Sequence, residues 1–457
     1  MLIKNKHNSL FYLFIISHLI IWTLVPSISN INLPLDTIEA LAWGSNLSWG
    51  YGKHPPLSAL TVEIIYNFFG NRDWAYYFLS QIFVIIAFIF VWKFAKLIFK
   101  NNFFSLCSVL LLEGIYFYNF TTPEFNVNVC QLPFWALSVY YSYKALMYKK
   151  NSDFVLMGIF ISLGFLTKYL FLYLIIAIKI AFIIEIMKNK KFHLSYLIPG
   201  FIFIIFLIPH LFWLIENNFA SILYAVQRTG IQEGNFLPNI SNPIIFILKQ
   251  IGIMAPLLII FFFLINKRNL NFFKIRKKNL FLLIINLIPI ILIFFTSVIT
   301  GAKIRSMWMT PFYLFLGVLL VYSFQDFILK KNFSKFLTTF LIFYILSPLT
   351  YAYVSIANDF KRTDYPGREI ADLVQRKWDK NFRNEILIVV GDEWYGGNLS
   401  YHLTSRPKWF NSIENNLSIV NSETGVIYTG NPKILKKFCP GIYGTIKPVG
   451  YCMIGKK

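Results

Sequence analysis

At 457 residues, 56% hydrophobic and with 49 phenylalanines, the chain lies outside the range of soluble globular domains. Its formal charge of +22 would suit a nucleic-acid binder. Most of its basic residues, however, fall in short loops between long apolar runs, the positive-inside pattern of a multi-pass membrane protein, and this argues against nucleic acid as a partner.

The first apolar run, residues 10–28, follows Lys4 and Lys6 and shows no small-residue cleavage site, so it reads as a retained helix. With the N-terminus cytoplasmic, residues 29–74 emerge outside. Within them Leu33 to Leu57 reads LPLDTIEALAWGSNLSWGYGKHPPL. Asp36 and Glu39 share a face if this stretch is helical, and Trp43 and Trp49 suit a membrane–water interface. Lys53-His54-Pro55-Pro56 makes a basic, stiffened turn. Asp36 is either a functional carboxylate or the N-cap of a helix over 37–47. His54 either contacts ligand or packs between the prolines.

Further spans follow at 75–99, 103–120, 126–147, a pair within 154–187 broken at Leu166-Thr167-Lys168-Tyr169, 194–215, 243–265, 280–299, 307–328 and 335–355. The pattern predicts a mainly α, polytopic membrane bundle of about eleven transmembrane helices over residues 1–355, with an interfacial first outer loop. Lys93, Lys96, Lys100, Lys149, Lys150, Lys188, Lys190, Lys191, the basic stretch 266–279, Lys330 and Lys331 fall inside. Asp36, Glu39, Glu63, Asp73, Glu124, Glu216 and Glu233 fall outside, as an outer-face active site would require. From residue 356 the apolar runs shorten. A helix over 369–378 and strands over 385–392 and 425–429 predict a small α/β domain, 356–457, on the outer face. There Cys439 and Cys452 flank a loop with Pro440, Gly441, Gly444 and Gly450, and an oxidising compartment favours a disulfide between them.

Along the chain run a first-loop acid, a Pro-Pro turn, the turn Thr122-Pro123-Glu124, the Leu-Thr-Lys-Tyr break, and Gly301-x-Lys303-x-Arg305-x-x-Trp308-x-x-Pro311. This order resembles the bacterial lipid-linked-sugar glycosyltransferases of the GT-C superfamily. Nearest are those of family 39, with protein O-mannosyltransferases, lipid A aminoarabinose transferases and lipopolysaccharide galacturonosyltransferases. The resemblance covers about residues 10–330 and leaves the C-terminal domain out. It implies an enzyme of the bacterial inner membrane with its C-terminal domain periplasmic. Such an enzyme takes a sugar from a polyprenyl-phosphate carrier and passes it, usually with inversion, to a lipid, glycan or protein acceptor. The family's first-loop acid is carried onto Asp36 and its second onto Glu124, where the family usually has Asp. The Lys that precedes Pro-Pro in aminoarabinose transferases is His54 here, with Lys53 beside it. No cofactor is implied, and the residues show no tight ligand set for a divalent metal.

The chemistry agrees with this assignment. Displacement at an anomeric carbon calls for a base toward a hydroxyl acceptor and cations for a phosphate leaving group. Asp36 and Glu124 are the candidate catalytic residues. Glu39, Lys53, His54, Lys303 and Arg305 are candidate binding residues, the last two also being ordinary headgroup anchors by position. At about 1.5 Å per helical residue, Lys168 lies roughly 22 Å from the inner end of its span and Glu113 roughly 20 Å, while Lys249 lies roughly 9 Å below the outer face. Such charges should share a cavity and hold the carrier phosphate. The alternative is a Glu113–Lys168 packing pair with Lys249 reaching outward. Two rival functions are a transporter or flippase for a lipid-linked or anionic substrate, and a non-catalytic scaffold.

Overall fold

The computed structural model describes residues 2–231, 236–265, 279–411, 423–446 and 448–457. Glu233 and the basic stretch 266–278 lie outside the described residues. The membrane part contains α1 (Leu2–Ser29), α2 (Leu35–Gly44), α3 (Leu57–Phe69), α4 (Asp73–Phe99), α5 (Asn102–Leu110), α6 (Val127–Tyr148) and α7 (Asn151–Phe165). It continues through α8 (Leu172–Asn189), α9 (Ile198–Glu216), α10 (Ala220–Arg228), α11 (Leu237–Phe262), α12 (Leu280–Thr300), α13 (Leu316–Ser323) and α14 (Phe333–Ala357).

Most of the apolar runs expected to span the membrane fold as long helices. Among the described residues, seven helical stretches are long and apolar enough to cross alone, or eight if the bent pair Ser306–Tyr313 and Leu316–Ser323, at 53°, counts as one. The expected figure of about eleven is reduced for physical reasons. The run 103–120 breaks after α5 into short 3-10 turns, Leu111–Gly114 and Tyr116–Tyr118. At the first of these, Gly114 lies directly against the backbone of Leu257 in α11, where a Cβ would collide. Helix α7 has 15 residues. Helix α6 buries Asn128, Gln131, Ser138 and Ser142 within the bundle, which keeps polar side chains away from lipid. Helices α4, α6 and α8 close at Lys100, Lys149 and Lys190 with φ of 50°, 53° and 49°. These left-handed closures leave lysine at the negative helix end and on the predicted cytoplasmic side.

After α14 the chain builds α15 (Gly367–Asn381), β1 (Ile388–Val390), α16 (Tyr395–His402), β2 (Lys408–Phe410), β3 (Val426–Gly430), α17 (Pro432–Phe438), β4 (Ile442–Ile446) and β5 (Val449–Ile454). The five strands run in the order β2-β1-β3-β5-β4. β1 is parallel to β2 and β3, and β5 is antiparallel to β3 and β4. Trp378, Val374, Ile427 and Tyr451 centre this domain's own core. Cys439, just after α17, is joined to Cys452 in β5 by a disulfide, while Cys107 and Cys130 are free and buried.

The domain is seated on the segment between α1 and α4 that carries α2 and α3. Trp409 packs with Ala42, Trp43, Tyr51 and Ala59, and α16 lies along α2. Gly397 permits that approach, since a Cβ there would sit 3.0 Å from the Ala42 Cβ. Arg406 donates to the Leu41 carbonyl at 2.7 Å and to Glu63 Oε2 at 2.6 Å, with its guanidinium over the Tyr66 ring at 4.2 Å.

The seam gives a first prediction. Arg406 and Glu63 are mostly buried, and removing one partner of such a pair costs on the order of 3 kcal/mol because the other is left unpaired. Arg406→Ala should release the domain, read as faster proteolysis within residues 356–457 of the detergent-purified protein. Adding Glu63→Gln should add less than its own single effect. The disulfide gives a second. Thiol labelling of unreduced, denatured protein should modify Cys107 and Cys130 but neither Cys439 nor Cys452. The double Ser variant should lose about 2–4 kcal/mol of domain stability.

Candidate active site

Helix α2 is short, and its residues Thr37 to Gly44 are all buried. It begins after Pro34, whose extended backbone (φ −61°, ψ 161°) turns the chain off the end of α1. The linker is pinned from above: the Ile31 and Asn32 amides donate to the Thr363 carbonyl at 3.1 and 2.9 Å. Asn32 also donates to Asn398 Oδ1 at 2.7 Å. Asp36 therefore sits in the first turn of α2, and the N-cap alternative is set aside because Pro34 occupies that position.

The Asp36 amide donates to Glu124 Oε1 at 3.0 Å. Next to it, Thr37 Oγ1 donates to the Phe125 carbonyl at 3.2 Å. The Glu124 turn is fixed from below. Ser80 donates to the Thr122 carbonyl, Gln81 donates to Thr122 Oγ1 at 3.1 Å, and Thr122 donates to the Asn119 carbonyl at 2.7 Å. Asn126 accepts from the Asn128 and Val129 amides and so caps α6. The first-loop acid and the Thr-Pro acid, 88 positions apart, are thus clasped through one backbone hydrogen bond.

The pair is electrostatically lopsided. Burial raises the Asp36 carboxyl above the usual range, while Lys168, Lys53, Arg228 and Arg305 pull it down. Glu124 has no such cations. Burial, and then the neighbouring Asp36, push it up to about 8. Glu39 is pushed up to about 7 by burial, against the pull of Lys53.

Lys53 pairs with Glu39 and, at 3.1 Å, with Glu393 of the C-terminal domain. His54 is lowered to about 3 by burial and by the nearby Lys168, Lys53 and Arg228. Its ring stands edge-on to Trp43 and Tyr224, at centroid distances of 6.1 and 6.2 Å. It is therefore a neutral, packed group, and the positive charge of this turn belongs to Lys53. Lys168 donates to Asn128 Oδ1 at 2.7 Å and lies 5.1 Å from the Trp308 ring centroid. Arg305 acts electrostatically on both Asp36 and Lys168. Lys303 is exposed, and its amide donates to the Thr229 carbonyl at 2.9 Å.

The expected convergence of Glu113, Lys168 and Lys249 does not form. Glu113 is buried beside His18, with Oε2 at 3.3 Å from His18 Nδ1, and Oε1 accepts from Asn119 at 3.0 Å. Lys249 is exposed on the outer face of α11 with Leu248 and Ile245. The adjacent Gln250 points inward and accepts from the Tyr313 hydroxyl at 2.8 Å. Depth along a helix was the basis of the grouping, and depth leaves the angle about the helix axis open. Of the three, Lys168 alone stands by Asp36.

Arg228, Glu393 and Arg362 were not singled out from the sequence. Arg228 closes α10 in the long outer loop, where a basic residue facing the first loop could have been suspected. Glu393 follows β1 at a turn capped by Asp392, whose Oδ1 accepts from the Trp394 and Tyr395 amides. Arg362 is among the first residues beyond α14.

Glu124 also lines a cavity of about 340 Å³. Pro34, Leu35 and Phe120 form apolar walls, and Tyr351, Lys361 and Arg362 supply polar ones. Among the described residues no group of three His, Cys, Asp or Glu side chains is gathered as a metal site.

Comparison with known proteins bears on this geometry. Residues 53–213 match the family model described as dolichyl-phosphate-mannose-protein mannosyltransferase. No curated protein sequence matches the chain. Among solved structures, ArnT from Cupriavidus metallidurans bound to undecaprenyl phosphate superposes with a TM-score of 0.67 at 10% identity, covering 97% of this chain and 98% of that one. Its apo form gives 0.66 at 10% identity, with 97% and 98% covered. The archaeal oligosaccharyltransferase AglB from Archaeoglobus fulgidus, with an inhibitory peptide and a dolichol-phosphate, gives 0.45 at 11% identity, covering 87% and 64%. With its apolar helices and this superposition, the chain is a multi-pass membrane protein with the fold of ArnT, and residues 53–213 carry the match to the mannosyltransferase family model.

Proposed function

We propose that the protein transfers a sugar from a polyprenyl-phosphate carrier to a hydroxyl acceptor at the outer face of a bacterial inner membrane, the N-terminus cytoplasmic and the C-terminal domain periplasmic. The observation that carries this reading is the Asp36–Glu124 pair, with Lys168, Lys53, Arg228 and Arg305 acting on Asp36 and none of the four on Glu124. The structural relative holding undecaprenyl phosphate supports the carrier class. The acceptor belongs to the cell-surface lipids, lipopolysaccharide included, glycans or proteins.

The asymmetry of the pair divides the work. The carrier phosphate lies toward Lys53, Lys168, Arg228 and Arg305, which stabilise charge developing on the leaving oxygen. Lys53 leaves Glu39 and Glu393 as the phosphate arrives. Asp36, close to these cations, offsets their mutual repulsion and orients the sugar. Glu124, with a high proton affinity and a cavity before it, is the base. As the C1–O(phosphate) bond breaks, its electron pair passes to the phosphate oxygen. The acceptor oxygen bonds C1 from the opposite side, inverting it, and the acceptor proton goes to Glu124. A base whose affinity lies close to the working pH suits this task. Neutral His54 offers a ring N–H to the sugar rather than charge to the phosphate. Arg305 and Lys303 stand at the mouth as carrier contacts.

Incubation of purified protein with polyprenyl-phosphate sugars, following release of the free carrier phosphate, tests the reading; an inactive panel would overturn it. Glu124→Gln should lower kcat by about 10²–10⁴ and leave carrier binding intact, as expected for loss of a general base. Asp36→Asn should also lower turnover strongly, leaving residual activity, while the protein still folds, because its backbone amide still reaches residue 124. Parent-like turnover by either variant removes that residue from the chemistry.

The pH dependence has a definite sign. A base must be ionised to act, and Glu124 gains its proton as pH falls through about 8. kcat/KM should therefore rise across pH 6–9 with a midpoint near 8, and a profile flat over this range would exclude a proton-accepting Glu124. The two acids titrate jointly, so Asp36→Asn should move this midpoint downward, measured on its residual activity.

A further inference from the structure

Helix α9 is apolar from Ile198 to Ile215 with one exception, His210. Its neighbours Leu211 and Phe212 face outward, whereas His210 is wholly buried. A polar ring inside such a helix must find partners, and His210 finds them in other segments. Nδ1 lies 2.6 Å from the Trp49 carbonyl in the first outer loop. Nε2 lies 2.9 Å from the Tyr169 hydroxyl at the break after α7. The same hydroxyl lies 2.6 Å from Ser221 Oγ in α10. A carbonyl only accepts, so Nδ1 carries the hydrogen. In the neutral ring Nε2 then accepts from Tyr169, whose oxygen accepts from Ser221.

Two further features build this hub. The His210 ring stacks on Trp213 of its own helix, 8° from parallel with centroids 6.0 Å apart. Gly50, next to Trp49, lies against that indole, where a Cβ would collide with the ring. Ser221 is brought back over α9 by Asn218 and Phe219, at φ of 51° and 55°. Non-glycine residues rarely take that conformation, and a bulky one such as Phe219 does so under strain.

Each segment tied by the hub carries one of the cations that act on Asp36. Lys53 is four residues beyond Trp49, and Lys168 precedes Tyr169. Arg228 is seven residues beyond Ser221, two turns along the same face of α10. Arg305 joins at one remove, since the Lys303 amide donates to the carbonyl of Thr229, next to Arg228. Asp36 offsets only part of the repulsion among these charges. Uncharged ties behind the cations must supply the rest of their register. The loop and the break are also joined by the Leu57 amide, which donates to the Leu166 carbonyl at 3.1 Å. Loss of the hub should therefore shift the cations without unfolding the outer face.

We propose that His210 is a positioning residue: without touching the carrier, it sets the spacing at which Lys53, Lys168 and Arg228 share one phosphate. This rests on the function proposed above only in taking the ligand of these cations to be the carrier phosphate.

The test uses the full-length protein in nanodiscs with undecaprenyl phosphate as probe. His210→Phe keeps the stack on Trp213 and loses both hydrogen bonds; it should weaken binding at least tenfold with helical content unchanged. His210→Asn, whose amide reaches the Trp49 carbonyl, and Tyr169→Phe, which spares that bond, should each fall between. A cycle with Lys168→Met separates positioning from mere support of the fold. If His210 acts through the cations, His210→Phe should weaken binding to the Lys168→Met protein less than threefold. A full tenfold loss in that background would overturn the positioning role. So would parent-like binding by both His210→Phe and Tyr169→Phe, or by Tyr169→Phe alone should His210→Phe fail to fold. If the hub variants weaken binding as expected yet the parent turns over no lipid-linked sugar, the positioning role stands and the transferase reading falls. If sugar is transferred and the variants bind like the parent, the transferase reading stands and the positioning role falls.

Discussion

The site depends on one hydrogen bond, from the Asp36 amide to the Glu124 carboxylate, which holds two acids together where water is scarce. Two carboxylates so placed cannot both ionise freely, and their surroundings decide which keeps its proton. Lys168, Lys53, Arg228 and Arg305 pull the Asp36 carboxyl down against burial, whereas burial and Asp36 push Glu124 up to about 8, so the two surroundings differ. Like groups whose environments push their proton affinities apart commonly take different parts in catalysis. The extra methylene of Glu124, relative to the family's usual Asp, lets the carboxylate reach back to the start of α2 while its backbone stays in the Thr-Pro turn.

Holding that bond in register takes structure from three levels. Inside the bilayer, Ser80 and Gln81 of α4 and the Glu113–Asn119 contact fix the turn that bears Glu124. At the surface, Pro34 directs α2 off α1. Above, the C-terminal domain grips α2 through Arg406, Trp409 and the close approach at Gly397. Buried polar groups near a membrane are costly unless fully paired, so each of these contacts constrains its neighbours.

What the sequence made legible follows from what local pattern encodes. Apolar length was enough to locate most of the helices, and the change of composition after residue 355 marked the small α/β domain. Asp36, Glu124 and Lys53 could be singled out because acids and a basic turn are conspicuous between apolar runs. The angular facts were out of reach. A one-residue step of about 100° around α11 separates Lys249, which faces outward, from Gln250, which faces in. Glu113 could be placed by depth beside Lys168, yet its partner is His18 from α1, reached through helix packing that no spacing along the chain reveals. Arg228 and Glu393 escaped notice for the same reason, since their relation to the first loop exists only after folding.

The C-terminal domain, which no motif covered, touches the surroundings of both acids with consecutive residues. Glu393 pairs with Lys53, and Trp394 carries Arg362, which lines the cavity with Glu124. Both project from a turn that Asp392 caps after β1. A shift of that turn would loosen Lys53 and reorient Arg362 together, so the domain couples these two contacts through one turn. A membrane bundle alone has few ways to do this, because its outer loops are short and separately anchored. A folded domain standing on the first loop reaches Lys53 and Arg362 at once.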